Sequence, residues 1–185
     1  MKFDKFKVVE SFLTKKECDD ILKKCLSELS LTTASVYDEK TSEKIVNNKR
    51  KSKVAFIELK ELNKKIFDTL NDIINIKGFN LKLSEYQFTE YQENDYFNWH
   101  TDSSETMYKE RFLTIAIQLN NSFIGGEFDV QIGGDELEMK PGIGNLFIFP
   151  SSTKHRIREI KNGIRYSIVN WLELEPQKNY KKTLL

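Results

Sequence analysis

The chain has 185 residues with 29 Lys+Arg against 28 Asp+Glu. That length suits one domain, and the near-zero net charge excludes a generally basic nucleic-acid binder and an acidic disordered tail. Only two histidines, His100 and His155, and two cysteines, Cys18 and Cys25, are present, so a three-histidine zinc site, a four-cysteine cluster and a disulfide framework are all excluded. Any metal chemistry must use at most two imidazoles and draw its other ligands from carboxylates.

Met1-Lys2-Phe3-Asp4-Lys5 is mixed in charge and opens no apolar run of signal-peptide length. No later stretch approaches the ~18 apolar residues of a membrane span, so a soluble, cytoplasmic protein is expected. Thr14 and Glu17 form a capping box. After it Cys18, Ile21, Leu22, Cys25, Leu26 and Leu29 recur at i, i+3, i+4, i+7, i+8 and i+11, one stripe of an amphipathic helix. The two cysteines lie two turns apart on that helix, roughly 10 Å, too far for a disulfide, and read as buried thiols of a reducing compartment. A second helix is expected through Leu59, Leu62, Ile66, Phe67, Leu70 and Ile73 or Ile74, with Gly78 ending the segment. Between the helices Tyr37 to Lys53 is polar and reads as a mobile loop or an edge hairpin. Its basic run Lys49 to Lys53 is a solvated loop, with a substrate lid or anionic contact as the alternative.

From about Asn80 the period changes to two. Phe128, Val130 and Ile132 alternate with Glu127, Asp129 and Gln131, a strand with one buried face that leaves Asp129 on its polar side. Gly133-Gly134-Asp135 turns the chain, and Leu137 and Met139 resume the alternation. Further strands are expected at Leu81 to Tyr91, Arg111 to Leu119, Leu146 to Phe149, His155 to Ile160 and Ile164 to Trp171. The chain is expected to be mainly β with flanking helices, a sandwich or barrel, in one domain over residues 1–185: a helical part to about residue 80 and a β core at about 81–173.

The chemistry concentrates at Trp99-His100-Thr101-Asp102. On a strand, residues i and i+2 share a face, so His100 and Asp102 can reach one point. His155 supplies a second imidazole from another strand. Two His and one carboxylate with open positions make the facial triad of non-haem Fe(II) oxygenases. Alone, the His-x-Asp tripeptide is common. Its weight comes from Pro150-Ser151 ahead of His155 and from Arg165-Tyr166-Ser167 beyond it. An inward-facing Arg beside a metal site is unfavourable unless it meets an anion, and a dicarboxylate held at the metal by one end would present its other end to that guanidinium. A two-residue turn at Asn162-Gly163 in a simple hairpin would put Arg165 and His155 on opposite faces. The reading therefore requires a left-handed Gly163 in a three-residue loop, or strands in facing sheets.

Taken in order, these features resemble the 2-oxoglutarate and Fe(II)-dependent dioxygenases of the prolyl 4-hydroxylase-like family. The matching residues are Tyr91 and Tyr96 ahead of His100-Thr101-Asp102, Arg111-Phe112-Leu113-Thr114 running to Leu119-Asn120, and Gly125-Gly126-Glu127-Phe128. They continue with Pro141-Gly142, Gly144-Asn145-Leu146, Phe149-Pro150-Ser151, His155-Arg156-Ile157, Gly163-Ile164-Arg165-Tyr166-Ser167 and Trp171. The likeness spans Ser84 to Leu172, with a weaker match at Phe12 to Leu22. It implies a double-stranded β-helix, or jelly roll, preceded by N-terminal α-helices, and hydroxylation of a C–H bond with conversion of 2-oxoglutarate to succinate and CO2.

Carried over, the resemblance makes His100, Asp102 and His155 the Fe(II) ligands and catalytic centre. It gives Arg165 to the 5-carboxylate of 2-oxoglutarate, makes Tyr91 a wall of that pocket, and groups Ser167 with the cofactor-binding residues. Gln118 stands where oxygen-sensing animal prolyl hydroxylases carry a Tyr to the same carboxylate, and its amide is expected to replace that bond. Asn94 stands where a Gly is common. Ascorbate is the implied accessory reductant, and the implied partners are dioxygen and a prolyl, peptide or amino-acid substrate. Base demethylation in nucleic acid is a poorer fit, because Trp171 occupies the position of the second Arg found in those enzymes. A non-catalytic jelly-roll binding module is the third reading, opposed by retention of all three ligands and the Arg. Gly125-Gly126-Glu127 reads as a structural turn, with Glu127 near the site as its alternative. Trp171, Phe147 and Phe149 read as core, and Trp99 as packing.

Overall fold

The structure is a computed structural model and describes residues 6–38, 43–74, 79–105, 108–140 and 142–176. In chain order the elements are β1 (Lys7–Val9), α1 (Lys15–Glu28), β2 (Thr32–Thr33), β3 (Val36–Asp38), β4 (Glu43–Ile45), β5 (Arg50–Lys51), β6 (Lys53–Ile57), α2 (Lys60–Ile73), β7 (Phe79–Leu83), β8 (Tyr86–Tyr91) and β9 (Tyr96–His100). They continue with β10 (Arg111–Gln118), β11 (Phe123–Gly125), β12 (Phe128–Ile132), β13 (Asp135–Met139), β14 (Leu146–Pro150), β15 (His155–Ile157), β16 (Ile160–Gly163) and β17 (Arg165–Pro176).

Both expected helices form. Thr14 caps α1 with both halves of the capping box in place, and Cys18 and Cys25 are fully buried free thiols. Leu26 departs from the expected stripe: it is exposed, because it lies about 100° around the helix from Cys25, beyond the edge of the sheet beneath. Helix α2 buries Leu62, Ile66 and Leu70 and stops at the Ile74 C-cap; Gly78 lies outside the described residues. No helix among the described residues is long and apolar enough to cross a membrane.

Most strands form the two facing sheets of a jelly roll, with β3–β4 and β11–β16 paired apart from them. The larger runs β1-β14-β10-β17-β8-β6-β2, with β7 also paired to β17, and the smaller runs β13-β12-β15-β9-β5. The larger sheet is covered on both faces. Leu113, Ile115, Ile148, Ile168 and Leu172 pack with the helices, whereas Phe128, Val130, Phe147, Phe149 and Ile157 fill the space between the sheets. Two-sided burial explains why β8 is buried at every residue and shows no alternation in sequence.

Four expectations are corrected. Leu81 to Tyr91 is two strands, β7 and β8, both paired to the long β17, and His155 to Ile160 is divided between β15 and β16. The part before residue 80 is not only helical: β1 and β6 extend the larger sheet and β5 the smaller. Tyr37 to Lys53 contains the β3–β4 hairpin, but its basic run is not a solvated loop. β5 pairs with β9 and β6 with β8, so the chain changes sheet across Ser52, and Arg50 and Ser52 are buried.

Glu17 accepts hydrogen bonds from the Thr14 amide at 2.7 Å and from Lys65 of α2 at 2.9 Å. Lys65 and the Thr14 groups hold its carboxyl down at about 2, from an ordinary 4.5. A depressed carboxyl stabilises the fold above the unfolded value and loses that contribution as pH falls through the folded one. The pair is well exposed, so solvent screening limits the effect to about 1 kcal/mol. Glu17→Gln should therefore lower the melting temperature by a few degrees at pH 7, and the difference from the unaltered chain should shrink between pH 4.5 and about 2. A difference independent of pH would mean that the carboxylate charge is not what stabilises.

Candidate functional site

Strands β15 and β9 are antiparallel, and their register puts His155 directly opposite His100. Cross-strand neighbours share a face, and the two imidazole centroids lie 4.1 Å apart. Each ring nitrogen Nδ1 lies 2.8 Å from a backbone carbonyl, Asn98 for His100 and Thr153 for His155. A carbonyl only accepts, so Nδ1 carries the hydrogen and each Nε2 keeps its lone pair for the interior. Those lone pairs face Asp102: His100 Nε2 lies 3.8 Å from Oδ1 and His155 Nε2 3.6 Å from Oδ2.

Asp102 lies beyond the end of β9, in a bend, so simple strand alternation does not place it. Instead the Asp102 and Ser103 amides both donate to the Ser151 carbonyl, at 2.8 and 3.0 Å, which folds the segment back over the β14–β15 turn. The Thr114 hydroxyl then donates to Asp102 Oδ2 at 2.6 Å. Burial opposes the Asp102 charge, but the two imidazoles and the Thr114 hydroxyl hold its carboxyl below the ordinary value. Burial, reinforced by His155, holds the His100 imidazole well below its ordinary value. An ionised carboxylate beside neutral imidazole is the protonation that a divalent cation requires of its ligands. The ligating atoms of the three residues all lie within 4.8 Å of one another, and this donor set fits Fe(II).

The larger sheet supplies the opposite wall. Alternation along β17 turns Arg165, Ser167, Val169 and Trp171 toward the cavity, while Ile168 and Leu172 join the helix-side core. Of the two routes by which Arg165 and His155 could share a site, the structure takes the second: the two residues belong to facing sheets, and Gly163, although left-handed at φ 81°, ends β16 rather than a three-residue hairpin loop. Arg165 is buried, its guanidinium 5.6 Å from the centre of the Tyr91 ring. Nη1 donates to Ser167 Oγ at 3.1 Å, while Nε is buried without a partner. Burial lowers its pKa to about 10, so it stays charged at neutral pH. Among the described residues no carboxylate lies within ion-pair distance of it. An unpaired buried charge costs several kcal/mol, and the orphaned Nε fits the free carboxylate of a bound dicarboxylate such as 2-oxoglutarate. Gly126 makes room: a side chain there would collide with Ile160 and crowd Arg165 Cδ at 3.2 Å.

The cavity enclosed is about 220 Å³ and takes in His100, Asp102, His155, Tyr91, Arg165 and Ser167. Gln118 also lines it, but its amide nitrogen donates to the carbonyls of Asn120 at 2.7 Å and Tyr166 at 3.3 Å. Both amide hydrogens are thereby spent, which leaves no donor for the expected bond to a carboxylate. Asn94 adopts φ 65°, a left-handed conformation that Asn tolerates better than most residues, which accounts for its replacing Gly. Trp171, Phe147 and Phe149 are buried as expected yet also line the cavity, whereas Trp99 and Glu127 do not. Asp129 is not on a solvated face: it is buried and accepts from Arg156 Nε at 2.6 Å and Arg158 Nε at 2.7 Å. Sequence reasoning gave no site role to Thr114, Ser151 or Arg111, and reached Arg50 only through the alternative of an anionic contact for the Lys49 to Lys53 run. Thr114 carried a signal, a polar residue between the apolar Leu113 and Ile115 of a buried strand.

Residues 86–173 match the 2OG-Fe(II) oxygenase superfamily. A PKHD-type hydroxylase of Prochlorococcus marinus strain MIT 9301 is 30% identical over 102 residues, 53% of this chain and 46% of that protein. Another, from Prochlorococcus marinus strain MIT 9211, is 25% identical over 90% of this chain and 77% of its own length. The chain spans about half or less of the length of the first such relatives it matches. A prolyl hydroxylase from Trichoplax adhaerens, solved with a hypoxia inducible factor peptide fragment, shares the fold at TM-score 0.73 and 18% identity, covering 92% of this chain and 84% of that one. A Pseudomonas putida prolyl-4-hydroxylase does so at TM-score 0.70 and 18% identity, covering 91% of each chain. Residues 86–173, just under half of the chain, thus match the 2OG-Fe(II) oxygenase superfamily. The fold is the one seen in these prolyl hydroxylases.

Thr114→Val, nearly isosteric, removes the hydroxyl that orients Asp102. It should weaken Mn(II) or Fe(II) binding by roughly ten- to a hundredfold while leaving the far-UV circular dichroism unchanged. Unaltered metal affinity in calorimetry would show that Asp102 is positioned by its backbone alone.

Proposed function

We propose that this chain is a non-haem Fe(II) and 2-oxoglutarate-dependent dioxygenase that hydroxylates a C–H bond of a prolyl, other amino-acid or peptide substrate. The observation that carries the reading is the convergence of two imidazole lone pairs and the Asp102 carboxylate in one cavity with a buried, unpaired Arg165. In this reading His100, His155 and Asp102 hold Fe(II), and Arg165 with Ser167 receives the 5-carboxylate of 2-oxoglutarate beside Tyr91. The bound iron, with 2-oxoglutarate and dioxygen, supplies the oxidising power for hydroxylation, with succinate and CO2 released.

What the chain contributes is placement. The carbonyls of Asn98 and Thr153 fix the imidazole tautomers, and the Thr114 hydroxyl fixes the carboxylate. Phe128 and Phe149 pack beside His155, and with Phe147, which lines the same cavity, they keep bulk water from the reacting centre. The prolyl preference follows the prolyl hydroxylases that share the fold, and ascorbate stays an accessory of that family pattern. The free buried thiols of Cys18 and Cys25 suit a reducing, intracellular compartment, and the shared core suits a single domain.

His100→Ala should abolish succinate formation that depends on iron and 2-oxoglutarate; equal turnover by the variant would end the assignment. Arg165→Ala should raise the 2-oxoglutarate concentration for half-saturation by roughly a hundredfold, the effect of removing one partner of a buried charge pair. Metal affinity, followed by Mn(II) titration, should move far less. A comparable loss of both would make Arg165 a structural residue instead.

A further inference from the structure

The cavity is far more positive than the chain. Lys49, Arg50, Arg111 and Arg165 line it, against the single carboxylate of Asp102, although the whole sequence carries a net charge of only +1. In the proposed function the two charges of the metal and the one of Arg165 are balanced by the two of the dicarboxylate and the one of Asp102. Arg50 and Arg111 have no counter-charge in that balance. Elsewhere on this fold the arginines have one: half-buried Arg156 and exposed Arg158 both pair with the buried Asp129. Among the described residues no carboxylate lies within ion-pair distance of Arg50 or Arg111.

Both guanidiniums are held by their faces rather than their edges. Arg50 lies 4.6 Å over Phe97, with Nε donating to Ser52 Oγ at 2.8 Å. Arg111 is stacked on Tyr108 at 3.9 Å and on Trp171 at 3.7 Å, and one Nη reaches the Asp102 carbonyl at 3.3 Å. Stacking fixes a guanidinium plane without using its in-plane N–H groups, the groups that grip a carboxylate. Both also adjoin the ligand cluster, Arg50 through Phe97, whose ring stacks on His100 at 3.4 Å, and Arg111 through the Asp102 backbone.

We infer that the substrate carries a carboxylate, received by Arg50 and Arg111 at the cavity that holds the His100, Asp102 and His155 cluster. The inference rests on the proposed function for what then happens to that substrate. Two sources present this chemistry, a free amino acid and the C-terminal residue of a peptide. A cavity of about 220 Å³, shared with the cosubstrate, favours either over the phosphate of a nucleotide.

The test loads the chain with Mn(II) and 2-oxoglutarate and titrates matched compounds calorimetrically. These are the free L-amino acids against their carboxamides, the N-acetyl amino acids against their amides, and nucleoside monophosphates against nucleosides. At least one carboxylate should bind roughly tenfold or more tightly than its amide, the scale of a lost charge-assisted pair. Arg50→Gln should remove that preference and Arg50→Lys should keep part of it. Preference among the free or the N-acetylated acids identifies the source. Acid and amide binding equally across the panel, or a preference confined to the nucleoside monophosphates, overturns the inference. The comparison on the unaltered chain decides this even where a variant fails to fold. A chain that releases succinate with Fe(II) yet shows no acid-over-amide preference overturns this inference alone. One that binds carboxylates but never releases succinate overturns the proposed activity and leaves the anion site standing.

Discussion

The antiparallel register of β15 against β9 is the constraint on which the site depends. It sets His155 opposite His100, so two residues far apart in sequence share one face with both Nε2 atoms directed inward. A slip of one residue would turn one imidazole to the outer face of the sheet. Several interactions pin the register. The Arg158 amide donates to the Glu127 carbonyl and the Gln131 amide to the Lys154 carbonyl, locking β12 on the other side of β15. The Ser151 carbonyl then gathers Asp102 from beyond the strand end, so the third ligand is placed by the turn that introduces the second.

Burial gives that geometry its chemical character. Because the larger sheet is covered by helices on one face and by the smaller sheet on the other, groups on its inner face are cut off from water. Desolvation works on each titratable group according to its sign: it keeps His100 neutral, opposes the charge on Asp102 and lowers Arg165 without discharging it. Asp102 stays ionised because its neighbours outweigh its burial. Arg165 has no such neighbour, and its unpaired Nε marks a place where the fold carries an electrostatic cost that a bound carboxylate relieves.

Much of this was legible from local pattern. The Thr14–Glu17 capping box, the alternation through Phe128, Val130 and Ile132, and the Gly133-Gly134 turn are properties of contiguous residues, and the structure contains each of them. The gathering of His100, Asp102 and His155 followed from an ordered set of motifs, although its geometric reason was only half right, since Asp102 is off the strand. What pattern could not supply is the far partner of a strand. Arg50 sits in a charged run that looks solvated, yet pairing of β5 with β9 draws it under cover. Asp129 lies on the polar face of an alternating strand, yet Arg156 and Arg158 close over it. Gln118 has the right side chain for a carboxylate, yet the carbonyls of Asn120 and Tyr166 take its donors.

The same distinction bears on charge. A balance of 29 basic against 28 acidic residues excludes a uniformly charged surface but is silent about how charge is distributed. The carboxylates of this chain largely serve ion pairs on its outside, as with Lys15 and Asp19, Lys82 and Glu173, or Arg158 and Glu138. Among the described residues the arginines without such a pair, Arg50, Arg111 and Arg165, are those of the cavity. Fields inside a low-dielectric cleft are focused rather than screened, so a few unpaired guanidiniums there outweigh the many balanced charges at the surface in deciding what enters. The two histidines set what the metal can be, and the arginines around them set the charge of what it can meet.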